Sequence, residues 1–346
     1  MHVAVVIPCY NVARHIEDVV RSVPSIVQSI VLVDDKSTDD TLAVLEQIDD
    51  PRVVVRRHAV NQGVGGAVWS GYVCATELGA DICVKMDGDG QMDGAALPAL
   101  IQPLLEGTAD YTKGNRFWDN RALSSMPFTR LMGNGVLSLL TKAVSGYWSI
   151  FDPTNGYTAV RTHVLRLINP SWIRPRYFFE TSMLVALNAA GAVVRDVHMS
   201  ARYGDEKSSL SIVSVLFQFP PLLVQSFLRR FLWRYVIRDF TALTVCAVSG
   251  AIAITFGATF GGYHWWKSIV TGVTATAGET ILAALPILLG FQLIMVAIVL
   301  DTLLEPRVPV GMNGERFKGT LAPLRGSEIH PPTESVDAPG PVRQTQ

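Results

Sequence analysis

The chain has 346 residues, of which 49% are hydrophobic and 17% are charged, and its formal net charge at pH 7 is -1. Ordinary soluble chains carry about a quarter charged residues, so this sequence holds more apolar matter than one soluble domain needs. The near-neutral charge gives no support for nucleic-acid binding, which usually depends on a strongly basic domain. The four cysteines show no Cys-x-x-Cys spacing and are typical of small buried hydrophobic residues.

Short, mostly β-branched runs alternate with helical patterns in the first half of the chain. The predicted strands cover residues 3–7, 30–33, 53–55 and 82–84. Between them, residues 13–23 place apolar side chains at helical spacing, and residues 38–45 begin with residues that cap helices. This alternation predicts an α/β domain over residues 1–205, with a mostly parallel, Rossmann-like sheet covered on both faces.

Polar loops follow all four predicted strands, and in an open α/β sheet ligands gather at these carboxyl ends. The loops are Pro8-Cys9-Tyr10-Asn11, Asp34-Asp35, Asn61-Gln62-Gly63-Val64-Gly65-Gly66 and Asp87-Gly88-Asp89. The glycine-rich turn, which is expected to enter a helix at Ala67, either cradles a phosphate with backbone donors or permits close packing. A dinucleotide site is not indicated, because these glycines do not follow the first strand and Val68 replaces the third glycine.

Asp87-Gly88-Asp89 places two carboxylates side by side where the fourth predicted strand opens into a loop. Two hard oxygen ligands on a tight glycine turn can share a divalent cation that also holds a diphosphate. A plain surface turn is the alternative, because Asp and Gly favour turns for conformational reasons alone. A calcium loop is excluded, since it needs Gly and Glu where this chain has Met92 and Pro98.

Taken in order, these motifs resemble those of the family 2 inverting glycosyltransferases with the GT-A fold. The matching segments are Pro8-x-Tyr10-Asn11, Asp34-Asp35, Asn61-x-Gly63 and Asp87-Gly88-Asp89-Gly90-Gln91. More narrowly, residues 1–305 resemble dolichyl-phosphate mannose synthases and bacterial polyprenyl-phosphate glycosyltransferases with two C-terminal membrane helices. The resemblance implies the fold of a nucleotide-diphospho-sugar transferase.

The resemblance also implies roles for single residues of the donor site. The nucleotide sugar would be held by Pro8, Tyr10, Asn11, Asp35, Asn61, Gly63, Asp87 and Gln91. Within this set, Tyr10 would lie near the base and Asp35 would accept from base or ribose. Asp89, together with Asp87, would ligate Mg²⁺ or Mn²⁺.

Three arginines match basic positions of the family, and the resemblance implies that Arg116 and Arg130 bind phosphate. Arg116 ends the segment Gly114-Asn115-Arg116, Arg130 lies on a predicted amphipathic helix with Asn134, and Arg202 precedes Lys207. An acceptor phosphate approaches a donor diphosphate only if fixed cations offset the repulsion between the two anions. A guanidinium is planar and permanently charged, which suits this role. Ordinary surface ion pairs are the alternative.

Two acidic residues, Asp152 and Glu180, fall where the family places acidic groups near the sugar and the donor pocket. A phosphate acceptor is already ionised at neutral pH, so its attack does not require a strong general base. We therefore expect both residues to orient substrates first and to act as bases second. A plain turn at Asp152 remains the alternative.

Two charge-free runs near the C-terminus predict transmembrane helices at about 240–260 and 281–303. Each run of about 20 residues spans about 30 Å of hydrocarbon. Buried core helices are the alternative, although their apolar runs are usually shorter. Pro286 is expected in the first turns of the second helix, where it costs little.

Basic residues flank the two predicted spans on the outside of the pair. They are Arg229, Arg230, Arg234 and Arg238 before the first span and Arg307, Arg316 and Lys318 after the second. Both long ends are therefore expected in the cytoplasm, with Tyr263, Trp265 and Trp266 of the 261–280 connector at the far interface. Residues 1–8 are too short for a signal peptide, which agrees with a cytosolic N-terminal domain.

Residues 206–238 mix large apolar side chains with clustered arginines and are predicted to form interfacial amphipathic helices. We expect Arg229, Arg230 and Arg234 to meet lipid phosphate. A core helix of the soluble domain is the alternative. Residues 306–346, rich in Pro, Gly and polar residues toward the end, are predicted to be a disordered cytoplasmic tail.

The combined prediction is an integral membrane glycosyltransferase whose catalytic domain lies in the cytosol and whose partners include the lipid bilayer. Whether the chain forms a homo-oligomer stays open. It would move one sugar from a nucleotide-sugar donor, UDP slightly favoured, to polyprenyl phosphate with inversion. One alternative is a noncatalytic nucleotide-sugar-binding scaffold. Another is a processive polysaccharide synthase, which would need more spans and a Gln-x-x-Arg-Trp motif, whereas Gln225 is followed by Ser-Phe-Leu.

Overall fold

The computed structural model describes residues 1–116, 128–199 and 212–312. Its described strands form one seven-stranded sheet in the order β3-β2-β1-β4-β6-β5-β7. Among them, β6 is the strand that runs antiparallel to its neighbours β4 and β5. The strands are β1 Val3–Cys9, β2 Ser29–Asp34, β3 Val53–Arg57, β4 Ile82–Lys85, β5 Tyr111–Asn115, β6 Thr158–Arg161 and β7 Val194–His198. The predicted mostly parallel α/β sheet is confirmed.

Helices connect the strands and continue after the sheet. Those of the first 199 residues are α1 Ile16–Ser22, α2 Thr41–Gln47, α3 Val64–Glu77, α4 Leu97–Leu105, α5 Phe128–Ser145, α6 Thr162–Leu165 and α7 Phe179–Ala190. After them come α8 Ile212–Phe231, a π-helix Leu232–Arg238, α9 Ala242–Thr271 and α10 Ala277–Leu303. Short 3₁₀ turns lie at Gly94–Ala96, Pro170–Trp172 and Val310–Met312.

The sheet is apolar on both faces because successive side chains of a strand point to opposite sides. Ala4 and Val6 of β1 belong to one buried cluster, which also contains residues of α3 and α7. Val5 and Ile7 belong to a second cluster, which contains residues of α1 and α4. The two clusters thus pack the two opposite faces of the sheet, and the strands that carry the polar loops are fixed from both sides.

Helices α9 and α10 form an antiparallel hairpin with close backbone contact. A Cβ added at Gly250 would lie 2.9 Å from the carbonyl oxygen of Gly290. In the most apolar stretch of each helix, only 22% of the residues of α9 and 11% of those of α10 are buried. The alternative of two buried core helices is therefore wrong, and both helices are long and apolar enough to cross a membrane.

The bounds of the hairpin differ from the predicted ones. Helix α9 is 30 residues long, or about 45 Å at 1.5 Å per residue, so Trp265 and Trp266 lie in its last turns rather than in a connector. Pro286 lies inside α10, beyond its first turns. Helix α9 continues to Thr271, past the predicted end at 260. Helix α10 begins at Ala277 rather than at 281, because the capping box of Thr276 and Glu279 starts it there, and it ends at Leu303 as predicted.

The expectation that Arg230 meets lipid phosphate is wrong. Its side chain is 1% exposed, and its Nη1 lies 2.8 Å from Oδ1 of Asp301 in the last turns of α10. A buried guanidinium requires a fixed counter-ion, and folding supplies one from a distant segment. Arg234 likewise donates from Nη1 to the carbonyl oxygen of Asn188 at 2.9 Å, whereas Arg229 lies over the ring of Trp172 at 5.4 Å.

Candidate active site

The loops after β1 and β2 are joined by the side chain of Asn11. Its Oδ1 accepts a hydrogen bond from the backbone N–H of Thr38 at 2.8 Å, and its own N–H donates to Oγ of Ser37 at 3.1 Å. Asn11 adopts a φ of 55° to make this turn, a conformation that Asn tolerates better than most residues. Beside it, Tyr10 is 49% exposed, so its ring stands open at the rim where the base was expected.

Asp35 anchors the turn after β3. The carboxylate is 2% exposed. It accepts from the backbone N–H of Gln62 at 2.8 Å and of Gly63 at 2.7 Å. Asn61 donates from Nδ2 to the carbonyl oxygen of Asp35 at 3.1 Å. Its predicted contact with the nucleoside stays a prediction, because these hydrogen bonds give the carboxylate a structural task.

His58 completes this anchor, and its role was not predicted from the sequence. Its Nδ1 lies 2.7 Å from Oδ1 of Asp35, and its Nε2 lies 2.9 Å from Oγ of Ser70 on α3. The available signal was its position directly after β3, since β2 and β3 are neighbours and their carboxyl ends meet.

The glycine-rich turn serves close packing. The N–H groups of Gln62 and Gly63 are held by Asp35, and that of Gly66 donates to the carbonyl oxygen of Pro175 at 3.1 Å. A Cβ at Gly65 would lie 2.3 Å from the carbonyl oxygen of Arg174. Of the two interpretations that the sequence left open, the structure therefore supports packing, and α3 begins at Val64 rather than Ala67.

A buried lysine lies directly beneath the Asp-Gly-Asp loop. Nζ of Lys85 is 2.8 Å from Oδ1 of Asp87 and 3.3 Å from Oε1 of Glu180, and it donates to the carbonyl oxygen of Gly156 at 3.2 Å. Burial acts to lower the pKa of Lys85, but the two carboxylates outweigh it and raise that pKa above its ordinary value. The ammonium is therefore charged at neutral pH and joins three segments of the site.

Lys85 was not predicted from the sequence, although the signal was present. It is the one charged residue within an otherwise apolar strand, and it stands two positions before Asp87. Residues two apart in an extended segment point to the same side. A buried lysine on that side predicts a carboxylate partner.

The Asp-Gly-Asp loop offers two carboxylates to a divalent cation. Asp89 accepts at Oδ1 from the N–H of Gln91 at 3.0 Å, which shapes the loop after Asp87. No cluster of three or more His, Cys, Asp or Glu side chains suited to a metal occurs within residues 1–116, 128–199 and 212–312. Two carboxylates fit Mg²⁺, which keeps several waters and shares its sphere with substrate phosphates.

Arg116 and Asp152, predicted separately, lie together. Nε of Arg116 is 2.9 Å from Oδ2 of Asp152, and its Nη2 donates to Oδ1 at 3.3 Å. Asp152 is fully buried, whereas the Arg116 side chain is 39% exposed. A two-point contact with a buried carboxylate fixes the plane of the guanidinium and leaves part of it at the surface of the site.

Lys113 and Asp196 underlie the 152–156 loop and were also missed. Burial lowers the pKa of Lys113 to about 8, with nearby carboxylates acting in the opposite direction. Asp196 accepts from the N–H of Phe151 at 2.6 Å and from Nδ2 of Asn115 at 3.1 Å. Burial raises its pKa to about 6. Both are polar residues in strands whose burial the sequence pattern does not reveal.

For some of the predicted site residues, the structure describes only the backbone or nothing at all. Arg130 and Asn134 belong to α5, as the helical pattern predicted, but their side chains lie outside the described part of the structure. Arg202 and Lys207 fall within residues 200–211, which are outside it altogether. Pro8 lies at the end of β1, partly buried, and its predicted role stays a prediction.

A sheet of this order with an Asp-x-Asp loop after β4 defines a GT-A-type glycosyltransferase. The chain belongs to glycosyl transferase family 2, whose profile matches residues 4–168. The fold also resembles that of glucosyl-3-phosphoglycerate synthase from Mycobacterium tuberculosis, solved with Mn²⁺, UDP and glucosyl-3-phosphoglycerate. That likeness has a TM-score of 0.50 and 21% identity, and covers 66% of this chain and 79% of the other.

Two curated relatives extend the similarity of sequence. A UDP-N-acetylglucosamine–dolichyl-phosphate N-acetylglucosaminyltransferase of Methanococcus voltae is 30% identical over 187 residues, which is 50% of this chain and 74% of that protein. An undecaprenyl-phosphate mannosyltransferase of Micrococcus luteus is 29% identical over 221 residues, or 62% of this chain and 90% of that protein. Membership of the family is thereby shown.

Proposed function

We propose that this glycosyltransferase moves one sugar, with inversion, from a nucleoside-diphosphate sugar to polyprenyl phosphate at the cytoplasmic face of a membrane. UDP is the slightly favoured nucleotide. The names of the two curated relatives support a polyprenyl phosphate acceptor. The hairpin of α9 and α10 supports it independently, because its helices are long and apolar enough to cross a membrane and an acceptor of this class resides in the bilayer.

One observation carries the proposal. The loop 152–156 contacts Arg116 through Asp152 at one end and meets the donor carboxylates at the other, where a Cβ on Gly156 would lie 2.8 Å from Oδ2 of Asp87. Four residue steps span at most about 14 Å. A cationic group, Arg116, and the proposed metal ligand Asp87 thus lie within the length of a sugar diphosphate bound beside a phosphate.

The chain's own residues suit the transfer. Arg116, oriented by Asp152, offsets the repulsion between the acceptor phosphate and the donor diphosphate. A lipid phosphate oxygen forms the new bond to the anomeric carbon while the bond to the diphosphate breaks, and no strong base is needed for an ionised acceptor. Asp87 and Asp89 would hold Mg²⁺ or Mn²⁺, which when bound neutralises the leaving diphosphate. Lys85 keeps Asp87 and Glu180 in fixed positions.

The test uses membranes that contain the full chain. They are incubated with a panel of UDP- and GDP-sugars, polyprenyl phosphate and Mg²⁺ or Mn²⁺, and the glycolipid is measured by mass spectrometry. We expect one added sugar and loss of product in EDTA. Asp89→Asn retains an oxygen for the Gln91 N–H but removes the charge, and we expect product to fall by about 100-fold or more.

Other results would point to the alternatives. Nucleotide-sugar binding without product for any donor would support a noncatalytic scaffold and overturn the proposal. A ladder of products carrying many sugars would support a processive synthase. Product that persists unchanged in Asp89→Asn would remove the metal assignment.

A further inference from the structure

Two carboxylates at the end of α10 bind one loop of the catalytic domain. Oδ2 of Asp301 accepts from Nε1 of Trp148 at 2.9 Å. Oε2 of Glu305 accepts from the backbone N–H of Trp148 at 3.1 Å and of Ser149 at 3.2 Å, and its Oε1 accepts from Oγ of Ser149. The end of the second membrane helix is thus fixed to residues 148 and 149 by four hydrogen bonds from that loop.

Asp301 is also bound by one residue of α8 and by one residue of the π-helix that follows it. Its Oδ1 accepts from Nη1 of Arg230 at 2.8 Å and from the hydroxyl of Tyr235 at 2.5 Å. An aspartate near a helix C-terminus is unfavourable, because that end carries the negative pole of the helix dipole. Violations of such local rules are expected at functional sites and must be compensated elsewhere. Here the compensation comes from Arg230, Tyr235 and Trp148.

The same loop leads directly to the proposed acceptor site. Ile150 is 1% exposed and packs in the core, and the N–H of Phe151 is held by Asp196 at 2.6 Å. The next residue is Asp152, which is fully buried and pairs with Arg116 at 2.9 Å. Each of the five residues from 148 to 152 is therefore fixed by a hydrogen bond or by burial, and together they join the membrane helix to the guanidinium.

We propose that Asp301 and Glu305 are positioning residues for the acceptor site, an inference that rests on the proposed function. They hold the 148–152 loop so that Asp152 aims the Arg116 guanidinium at the phosphate of the acceptor. The membrane hairpin is then part of the acceptor site as well as an anchor. Neither carboxylate touches a substrate.

The test separates acceptor binding from donor binding. The full chain is reconstituted in vesicles, and the KM values for polyprenyl phosphate and for the nucleotide sugar are measured for Glu305→Ala and for Trp148→Phe. Both changes spare the Asp301–Arg230 pair. We expect the acceptor KM to rise about tenfold for Glu305→Ala, as for loss of hydrogen bonds to a charged group. The donor KM should stay unchanged.

Two controls accompany this experiment. Glu305→Gln restores a carbonyl acceptor for the two N–H groups, and it should recover part of the acceptor KM. Glu46→Gln changes an exposed carboxylate on α2, far along the chain from the loop, and should leave both KM values unchanged. A short-chain prenyl phosphate in detergent should show the same rise as the vesicle-borne lipid, because the loop itself is displaced.

Several results would overturn the inference. A lower kcat with both KM values unchanged would indicate loss of folded protein only. A rise in the acceptor KM that occurs only in vesicles would mean that the two carboxylates set the height of the catalytic domain above the bilayer. They would then not position the 148–152 loop. If the unaltered protein makes no glycolipid at all, the proposed function fails; if it is active and the variants match it, only this inference fails.

Discussion

Nζ of Lys85 lies 2.8 Å from Oδ1 of Asp87. The lysine side chain is 1% exposed, and its second carboxylate partner, Glu180, is 16% exposed. One buried ammonium therefore fixes two acidic residues of the proposed donor site.

Replacement of this lysine should destabilise the protein. Lys85→Met leaves Asp87 and Glu180 without their buried counter-ion, and breaking such a pair costs about 3 kcal/mol or more. We expect a clear fall in the Tm of the detergent-solubilised protein. Lys267→Met, at an exposed position of α9, is the matched control. Equal Tm values for the two variants would contradict the role of Lys85.

A methyl group at Gly156 should disturb the chemistry. Its Cβ would lie 2.6 Å from Nζ of Lys85 and 2.8 Å from Oδ2 of Asp87, so one of the two groups must move. A displacement of about 1 Å at a reacting centre lowers the rate by about 100-fold. We therefore expect Gly156→Ala to reduce kcat by about that factor.

The control for this variant is Gly278→Ala. Gly278 lies in the first turn of α10, and an added Cβ meets nothing within 4 Å. We expect kcat to stay unchanged there. Normal turnover by Gly156→Ala would show that Asp87 is not held against the 152–156 loop.

The stability of the protein should depend on pH through Asp196. Burial raises its pKa from the ordinary 3.8 to about 6 in the folded state, so the folded protein binds this proton more tightly than the unfolded one. The stabilisation is present below about pH 4 and is lost as pH rises through about 6. Asp196→Asn should therefore reduce the fall in Tm between pH 4 and pH 6.

Asp49→Asn, at an exposed position before β3, is the matched control and should keep the profile of the unaltered protein. A difference of about two between the pKa values of Asp196 in the folded and unfolded states corresponds to at most about 3 kcal/mol in the free energy of unfolding. Identical Tm profiles for Asp196→Asn and Asp49→Asn would show that burial does not perturb this carboxyl group.

Asp35→Asn distinguishes a loop anchor from a nucleoside ligand. The amide NH₂ of Asn would face one of the donors now held by the carboxylate, the N–H of Gln62 or of Gly63. An unsatisfied buried donor costs about 1–3 kcal/mol. We expect a lower Tm together with a higher donor KM, whereas Asp40→Asn at the exposed start of α2 should change neither.

The opposite pattern would identify the nucleoside contact as the main role. If Asp35→Asn keeps its Tm and raises only the donor KM, the carboxylate acts on the ligand and its bonds to the turn are dispensable. Differential scanning fluorimetry and donor titration on the same preparations measure both quantities.

The first four strands of the sheet, the loops at their ends and the two long apolar helices near the C-terminus were predicted from the sequence, whereas β5, β6 and β7 were not. Strand and helix periodicities depend on neighbouring residues, and the Asp87–Asp89 motif is local. The sequence could not predict which residues would pair across long separations. Arg230 and Asp301 are 71 positions apart, and no pattern within either segment indicates that they meet.

The contacts between residues that are distant in the sequence also determine the structural roles of individual site residues. Asp35 and Asp87 were expected to hold the donor, and the structure shows that each is also tied to the protein, by a turn in one case and by Lys85 in the other. Lys113 and Asp196 were missed because the periodicity of a strand does not reveal whether a polar side chain in it is buried, whereas the position of Lys85 two residues before Asp87 did indicate a pair. Their partners became visible only when the strands were assembled.

The sequence by itself determined the α/β class, the family and the number of apolar spans, because these follow from local propensity, motif order and hydrophobic run length. Only the tertiary structure decided that Arg116 pairs with Asp152 and that the end of the apolar hairpin of α9 and α10 is bound to the neighbouring loop. The physical reason is that a buried charge needs a partner at contact distance, and the fold rather than the chain order sets which groups come that close.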